Sequence, residues 1–356
     1  VKAIRVCFVF LCFLFSGSII AQKTERVYLS GMGKDDGILW DFYCTDGRSS
    51  EKWTTIPVPS NWECEGFGTY NYGHDQNPGN EEGWYRHVFT VPKNWKSKSV
   101  EIVFEGSMTD TEVRVNNQLA GAIHQGAFYR FSYNISNLLK YGDENLLEVK
   151  VAKHSANESV NEAERQCDFW IFGGIFRPVY LEAKPPEQIE HFSIDARADG
   201  SLLMHAVLKG IKKANLLEAN VKTIKGDLVG PPVSIMISEG TDSVVLKGKI
   251  KDIKTWTPET PTLYMLEIGL KRNDQLIHFE TERFGFRTVE IKDRDGIYVN
   301  GIKIKFKGIN HHSFWPTSGK TTSKQISIED VTLIKEMNMN AVRMSHYPPD
   351  EHFLDV

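Results

Sequence analysis

The sequence predicts a multidomain, mainly β chain: two β-sandwiches in series, then a β/α segment. Three observations predict it. Short alternating apolar runs separated by turn residues fill residues 24–184. A second series of such runs begins after Pro185-Pro186 and continues to residue 290. From residue 291 the pattern changes, and two apolar runs bracket a stretch, 326–337, in which Ile328, Val331, Leu333, Ile334 and Met337 recur with a helical period.

The N-terminus stands apart from the fold. Lys2 and Arg5 precede an unbroken apolar run over 6–15, and Ser16-Gly-Ser18 and Ala21 follow. The run is too short to span a bilayer, so residues 1–21 read as a secretory signal peptide cut after Ala21, not as an anchor. A secreted or periplasmic protein with no membrane span after cleavage is expected. Cys7 and Cys12 leave with the signal, and Cys44, Cys64 and Cys167 remain. Three cysteines with no CxxC and no metal-ligand spacing point to buried free thiols.

Residues 24–184 read as an antiparallel sandwich of jelly-roll type, with strands at 100–104, 111–115 and 146–151 and a turn at Asn116-Asn117. Trp62 and Trp84, beside Pro and Gly, are expected to pack inside it. In residues 185–290, runs at 189–196, 202–208, 220–223, 243–250, 264–271 and 277–284 fit an immunoglobulin-like sandwich without the intersheet cysteine pair. In residues 291–356, Asp295-Gly296 and Asn300-Gly301 are hairpin turns leading to a strand over 303–308. Ser327 with Asp330 reads as a capping box opening the helix. Strand, helix and strand begin a βαβ unit, which fits either an ordinary parallel α/β pair or the start of a (β/α)₈ barrel.

Lys307-Gly-Ile-Asn-His-His312 and Asn340-Ala-Val-Arg-Met-Ser-His-Tyr-Pro348 resemble the first two strand ends of the catalytic barrel in glycoside hydrolase family 2. The second motif is long and specific; the first has His311 where the family usually has arginine. Asp168-Phe-Trp-Ile-Phe-Gly-Gly-Ile-Phe-Arg177 and Ile56-Pro-Val-Pro-Ser-Asn-Trp62 resemble the family's sugar-binding domain, and Trp256-Thr-Pro-Glu-Thr-Pro and Phe284-Gly-Phe-Arg287 its linking strands. The resemblance covers residues 24–356 and only the front of the family's length. It makes residues 291–356 the truncated start of a TIM barrel, an incomplete catalytic domain.

The resemblance also implies roles. Asp168 and Asn71 reach the sugar pocket from the first domain, where a carboxylate and an amide suit a vicinal diol. His312 and His346 bind substrate hydroxyls, and Arg343 orients the catalytic carboxylates through its planar fork. The structural alternative for Asp168 is a loop carboxylate capping a turn, and for the histidines a satisfied core. A zinc site from His311, His312 and His346 is the metal alternative; no third ligand at a known spacing supports it, and no metal or cofactor is expected here, Mg²⁺ or Na⁺ being left for the full-length enzyme.

Retaining hydrolysis needs two carboxylates about 5 Å apart, which the family carries as glutamates on later barrel strands. Neither is expected in this chain, so it reads as the N-terminal part of an exo-β-glycosidase, inactive alone. A β-galactoside ranks ahead of a β-glucuronide because Asp168 repels a uronate. The rival readings are a non-catalytic carbohydrate-binding protein of two sandwiches and a structural adhesin. The expected partner is a β-linked oligosaccharide, with room for a homo-oligomer. A net charge of -4 and pI near 6.3 carry no basic surplus for nucleic acid, and 41% hydrophobic residues exclude a disordered chain.

Overall fold

A computed structural model describes residues 22–356, and the signal-peptide reading of residues 1–21 lies outside the described residues. The first sandwich has two antiparallel sheets. The larger runs Trp53–Val58, Ile38–Cys44, Glu82–Thr90, Glu144–Ala152, Asp110–Val115, Gln118–Leu119; the smaller runs Phe131–Asn134, Ser99–Phe104, Val179–Lys184, Glu25–Tyr28. Alternation explains the pairing. Leu147, Val149 and Val151 point into the core from Glu144–Ala152 while Glu148 and Lys150 point out. They meet Trp40, Phe42, Tyr85, Ile102 and Phe104 in one apolar cluster. Trp62 is fully buried there as expected. Trp84 is not: it stands 44% exposed on the outer face beside Trp53. The period of its strand explains this, since Tyr85 takes the inward position.

The second sandwich packs a three-stranded sheet, Gln188–Ala196, Ser201–Lys209, Ser243–Lys249, on a five-stranded one. The latter contains Val233–Met236, a short strand with no sequence signal of its own, and Gln22–Lys23, which pairs in parallel with Gln275–Phe284. The chain thus enters along the edge of the second sandwich before forming the first.

The last segment opens with a three-stranded antiparallel meander, Val289–Lys292, Gly296–Val299 and Ile302–Lys303. Asn300 and Gly301 sit at φ 51° and 80°, as a two-residue turn of this hand requires. Residues 304–307 are not in a strand, contrary to the reading of 303–308; the barrel-type strand is Gly308–His311, parallel to Ala341–Met344. Between them the helix spans Lys324–Glu336, and its N-cap is Ser323, whose Oγ accepts from the Ile326 amide. Ser327 and Asp330 are therefore inside the helix, not a capping box. They are used laterally, Ser327 Oγ against His352 Nδ1 at 2.8 Å and Asp330 against His311 Nε2 at 2.9 Å. Ile334 is buried on this helix, whereas Ile328, Leu333 and Met337 are exposed.

Candidate active site

The mouth of the site lies where loops of the first sandwich meet the ends of the two parallel strands. Several motifs that read as sandwich features are its fastenings. Arg177, buried, gives Nε to Asp350 Oδ1 at 2.9 Å and Nη2 to the Pro348 carbonyl at 2.7 Å. Asp350 Oδ2 accepts from Thr322 Oγ1 at 2.9 Å. Asn61 bridges the two modules: its Nδ2 donates to the Gly173 carbonyl at 2.9 Å and its Oδ1 accepts from the Lys320 amide at 2.6 Å. Met108, Phe128, Phe172, Phe176 and Tyr347 close over these polar ties as a small apolar cluster.

Beneath Gly173 sits a buried charge cluster, Lys153 with Glu63 and, at 3.5 Å, Glu81. Lys153 Nζ lies 2.8 Å from Glu63 Oε1, and both Glu63 oxygens accept from the Gly173 amide at 3.0 Å. Burial pushes the Glu63 carboxyl up, against the pull of Lys153 and the Gly173 N–H. At Gly173 the chain passes so close to Trp62 that a Cβ would lie 1.9 Å from the indole. No side chain fits there.

His312 directly follows the strand Gly308–His311 and His346 lies two residues past Ala341–Met344, and their rings lie 5.8 Å apart, edge to face. Arg343 Nη2 lies 2.8 Å from His346 Nδ1. His312 Nδ1 lies 3.1 Å from Tyr347 Oη, and Phe169 packs on the His312 ring at 5.5 Å. The segment bearing Asp168 therefore touches the histidine pair. The Asp168 carboxylate itself is 91% exposed and pairs with His74 Nε2 at 2.9 Å. Asn71 differs from expectation. It joins the same ribbon, opposite Ile171, but is buried; its Oδ1 accepts from the Gly79 amide at 2.7 Å and its Nδ2 reaches Asp75 at 3.4 Å. An amide used this way shapes the 71–79 loop and, at 4% exposure, offers little of itself to a sugar hydroxyl. The exposed surface of that ribbon is aromatic instead: Trp170 packs edge-on against Tyr70 at 4.9 Å and Tyr72 at 5.3 Å.

His311 turns the other way, stacking on Phe353 at 4.7 Å while bonding Asp330. That orientation removes it from the histidine pair. Among the described residues no group of three or more His, Cys, Asp or Glu is placed to hold a metal ion. Cys44, Cys64 and Cys167 are free thiols. No helix among the described residues is long and apolar enough to cross a membrane.

Sequence reasoning missed Lys320. It is 2% exposed, its Nζ donates to Tyr347 Oη at 2.6 Å, and it lies over the Phe169 and Tyr347 rings at 4.2 and 4.5 Å. Burial depresses it to about 7. His312 is held below the ordinary histidine value by burial first, then by Lys320, His346, His311 and Arg343. The site is thus cationic and aromatic, with carboxylates engaged elsewhere: Asp350 by Arg177, Asp330 by His311, Asp168 by His74. A cleft of about 1330 Å³ opens on the outer face beside it, reaching from Tyr72 and His74 to Lys150 and Arg165.

Comparison with known proteins agrees with this architecture. Residues 47–185 match the family model "Glycosyl hydrolases family 2, sugar binding domain", residues 189–287 match "Glycosyl hydrolases family 2", and residues 289–356 match "Glycosyl hydrolases family 2, TIM barrel domain". A beta-galactosidase of Thermoanaerobacter pseudethanolicus is 32% identical over 280 residues, covering 76% of this chain and 37% of that protein. A beta-galactosidase of Priestia megaterium is 31% identical over 347 residues, covering 88% and 32%. The chain thus spans about a third of the length of these curated relatives. Among solved structures, a beta-glucuronidase of Bacteroides uniformis shares the fold at TM-score 0.75 and 24% identity, over 93% of this chain and 40% of that one.

Proposed function

The chain belongs to glycoside hydrolase family 2, and from that premise we propose that it forms the sugar-binding and opening-barrel part of a retaining exo-β-glycosidase acting on β-galactosides. The observation that carries the reading is the meeting of two modules at one mouth: Phe169, next to Asp168, rests on His312 while Arg343 bonds His346. Acceptors on the exposed Asp168 carboxylate, paired with His74, and ring nitrogens of the His312 and His346 pair, which the neighbouring Phe169 touches, suit a polyhydroxylated ring, with Trp170 supplying an apolar face. Both relatives named above as beta-galactosidases favour a neutral sugar, and so does Asp168, whose charge opposes a uronate carboxylate.

The chemical step asks for a nucleophile and an acid/base about 5 Å apart. Asp168, Asp330 and Asp350 are each engaged by a basic partner, so the hydrolytic pair is proposed to come from barrel strands outside residues 289–356. The chain alone is expected to bind galactosides without hydrolysing them. Incubation with nitrophenyl β-galactoside tests this, and measurable release of nitrophenol would contradict it. Titration with galactose and glucuronate, followed by chemical shifts, tests the sugar: a preference for glucuronate would overturn the galactoside reading. Export is proposed from Lys2, Arg5 and the apolar run over 6–15; N-terminal sequencing of the secreted protein should begin after Ala21.

A further inference from the structure

Both imidazoles at the mouth have their Nδ1 atoms occupied. For His346 the partner is Arg343 Nη2 at 2.8 Å, and a guanidinium offers hydrogens and no lone pair. His346 Nδ1 therefore accepts, and the ring hydrogen sits on Nε2. For His312 the partner is a phenol, Tyr347 Oη at 3.1 Å, which by itself works in either direction.

The direction is settled one step further in. Lys320 Nζ lies 2.6 Å from the same Oη. Below about pH 7 Lys320 is an ammonium, which donates and never accepts, so there Tyr347 Oη accepts from Lys320 and turns its single hydrogen toward His312 Nδ1. The arrangement is rigid. Tyr347 stacks on Phe128 at 4.1 Å and 10°, and the Lys320 backbone is held by Asn61. We propose that Lys320 and Tyr347 are positioning residues that fix neutral His312 as its Nε2–H tautomer, so that His312 and His346 together present two N–H donors to a substrate oxygen. A hydroxyl that gives its own hydrogen to a carboxylate is the complementary group.

The charges around the pair act in the same sense. Lys320, His346, His311 and Arg343 all oppose a second proton on His312; Cys167 and Asp350 face Lys320, with Arg165 and Arg177 beyond. The inference depends on the glycosidase reading only for what the two N–H groups face, and its test uses no sugar.

The measurement is a two-bond ¹H–¹⁵N correlation on the ¹⁵N-histidine-labelled chain at about pH 6.5, where an unperturbed imidazole is half charged, with His312 assigned through His312→Gln. The expected spectrum shows His312 with Nε2 protonated and Nδ1 bare. Tyr347→Phe should convert it to a mixture of tautomers. Lys320→Met should raise the His312 titration midpoint by about 0.5 or more, as loss of a nearby cation does, whereas Lys320→Arg should leave it near wild type. A wild-type Nδ1–H pattern, a doubly protonated ring, or an unchanged tautomer in Tyr347→Phe each overturns the proposal. Equal midpoints in Lys320→Met and Lys320→Arg do the same. A chain that binds no galactose but shows the expected tautomer retains this inference and loses the glycosidase reading.

Discussion

Asp350→Ala should loosen the barrel strands from the first sandwich without unfolding either sandwich. The carboxylate removed is the partner of a buried guanidinium: Arg177 Nε reaches it at 2.9 Å, and what remains to Arg177 is the Pro348 carbonyl at 2.7 Å and that of Phe128 at 3.4 Å. Phe176 lies against the guanidinium at 5.0 Å, and Arg177 is only 5% exposed. Breaking one side of a buried pair costs about 3–5 kcal/mol, because the surviving charge stays desolvated. Thr322 loses its acceptor as well, adding about 1 kcal/mol. Even the low end of that total, about 4 kcal/mol, corresponds to about a thousandfold in a local opening constant. A multidomain chain is not two-state, so the assay is native-state hydrogen exchange with an internal reference. Amides of Lys324–Glu336 should lose about a hundred- to a thousandfold protection, while those of Glu144–Ala152 keep theirs. The double variant Arg177→Met/Asp350→Leu should recover most of the loss, because apolar replacements remove the desolvation penalty on both sides. Loss below about tenfold, equal loss in both elements, or strict additivity in the double variant would refute the reasoning.

Three further outcomes follow from the geometry. Gly173→Ala places a methyl within 1.9 Å of Trp62 and should destabilise the first sandwich by about 1–3 kcal/mol, read as a lower Tm; an unchanged Tm would show that the indole can retreat. Lys320 has a folded value near 7 against 10.5 for the free side chain, so the unfolded chain holds the extra proton between those values. Stability should therefore rise with pH from about 7 to about 10.5, by an increment that Lys320→Met abolishes; the same slope in wild type and variant would contradict the burial argument. Asp168→Ala should leave stability within about 0.5 kcal/mol, since the carboxylate is exposed, yet weaken galactose binding about tenfold or more by calorimetry. Unaltered affinity would remove Asp168 from the sugar site.

Local periodicity carried the parts of the fold that alternate cleanly. The strands of the second sandwich lie within a few residues of where their apolar runs place them, because each run buries one face. Val233–Met236 escaped because four residues leave too short a period. The helix start was misplaced because Ser327 and Asp330 have the spacing of a capping box, whereas Ser323 has the free backbone geometry of an N-cap. At the site, His312 was singled out by one contiguous motif, residues 307–312, and Arg343 and His346 by a second, residues 340–348. Lys320, Asn61 and the Arg177–Asp350 pair were not, since their partners lie 27 to 259 residues away and no local pattern marks them. Asn71 misled for the opposite reason: an exposed-looking polar residue in a loop is, in three dimensions, the peg of that loop.

The parallel pairing of Gln22–Lys23 with Gln275–Phe284 bears on how such proteins are recombined. A chimera cut at Pro185-Pro186 would carry those two residues away with the wrong partner and leave Gln275–Phe284 with an unprotected edge, inviting cross-pairing between molecules. Shuffling between relatives therefore calls for a graft that swaps the leading residues together with the second sandwich, or one that moves both sandwiches as a block.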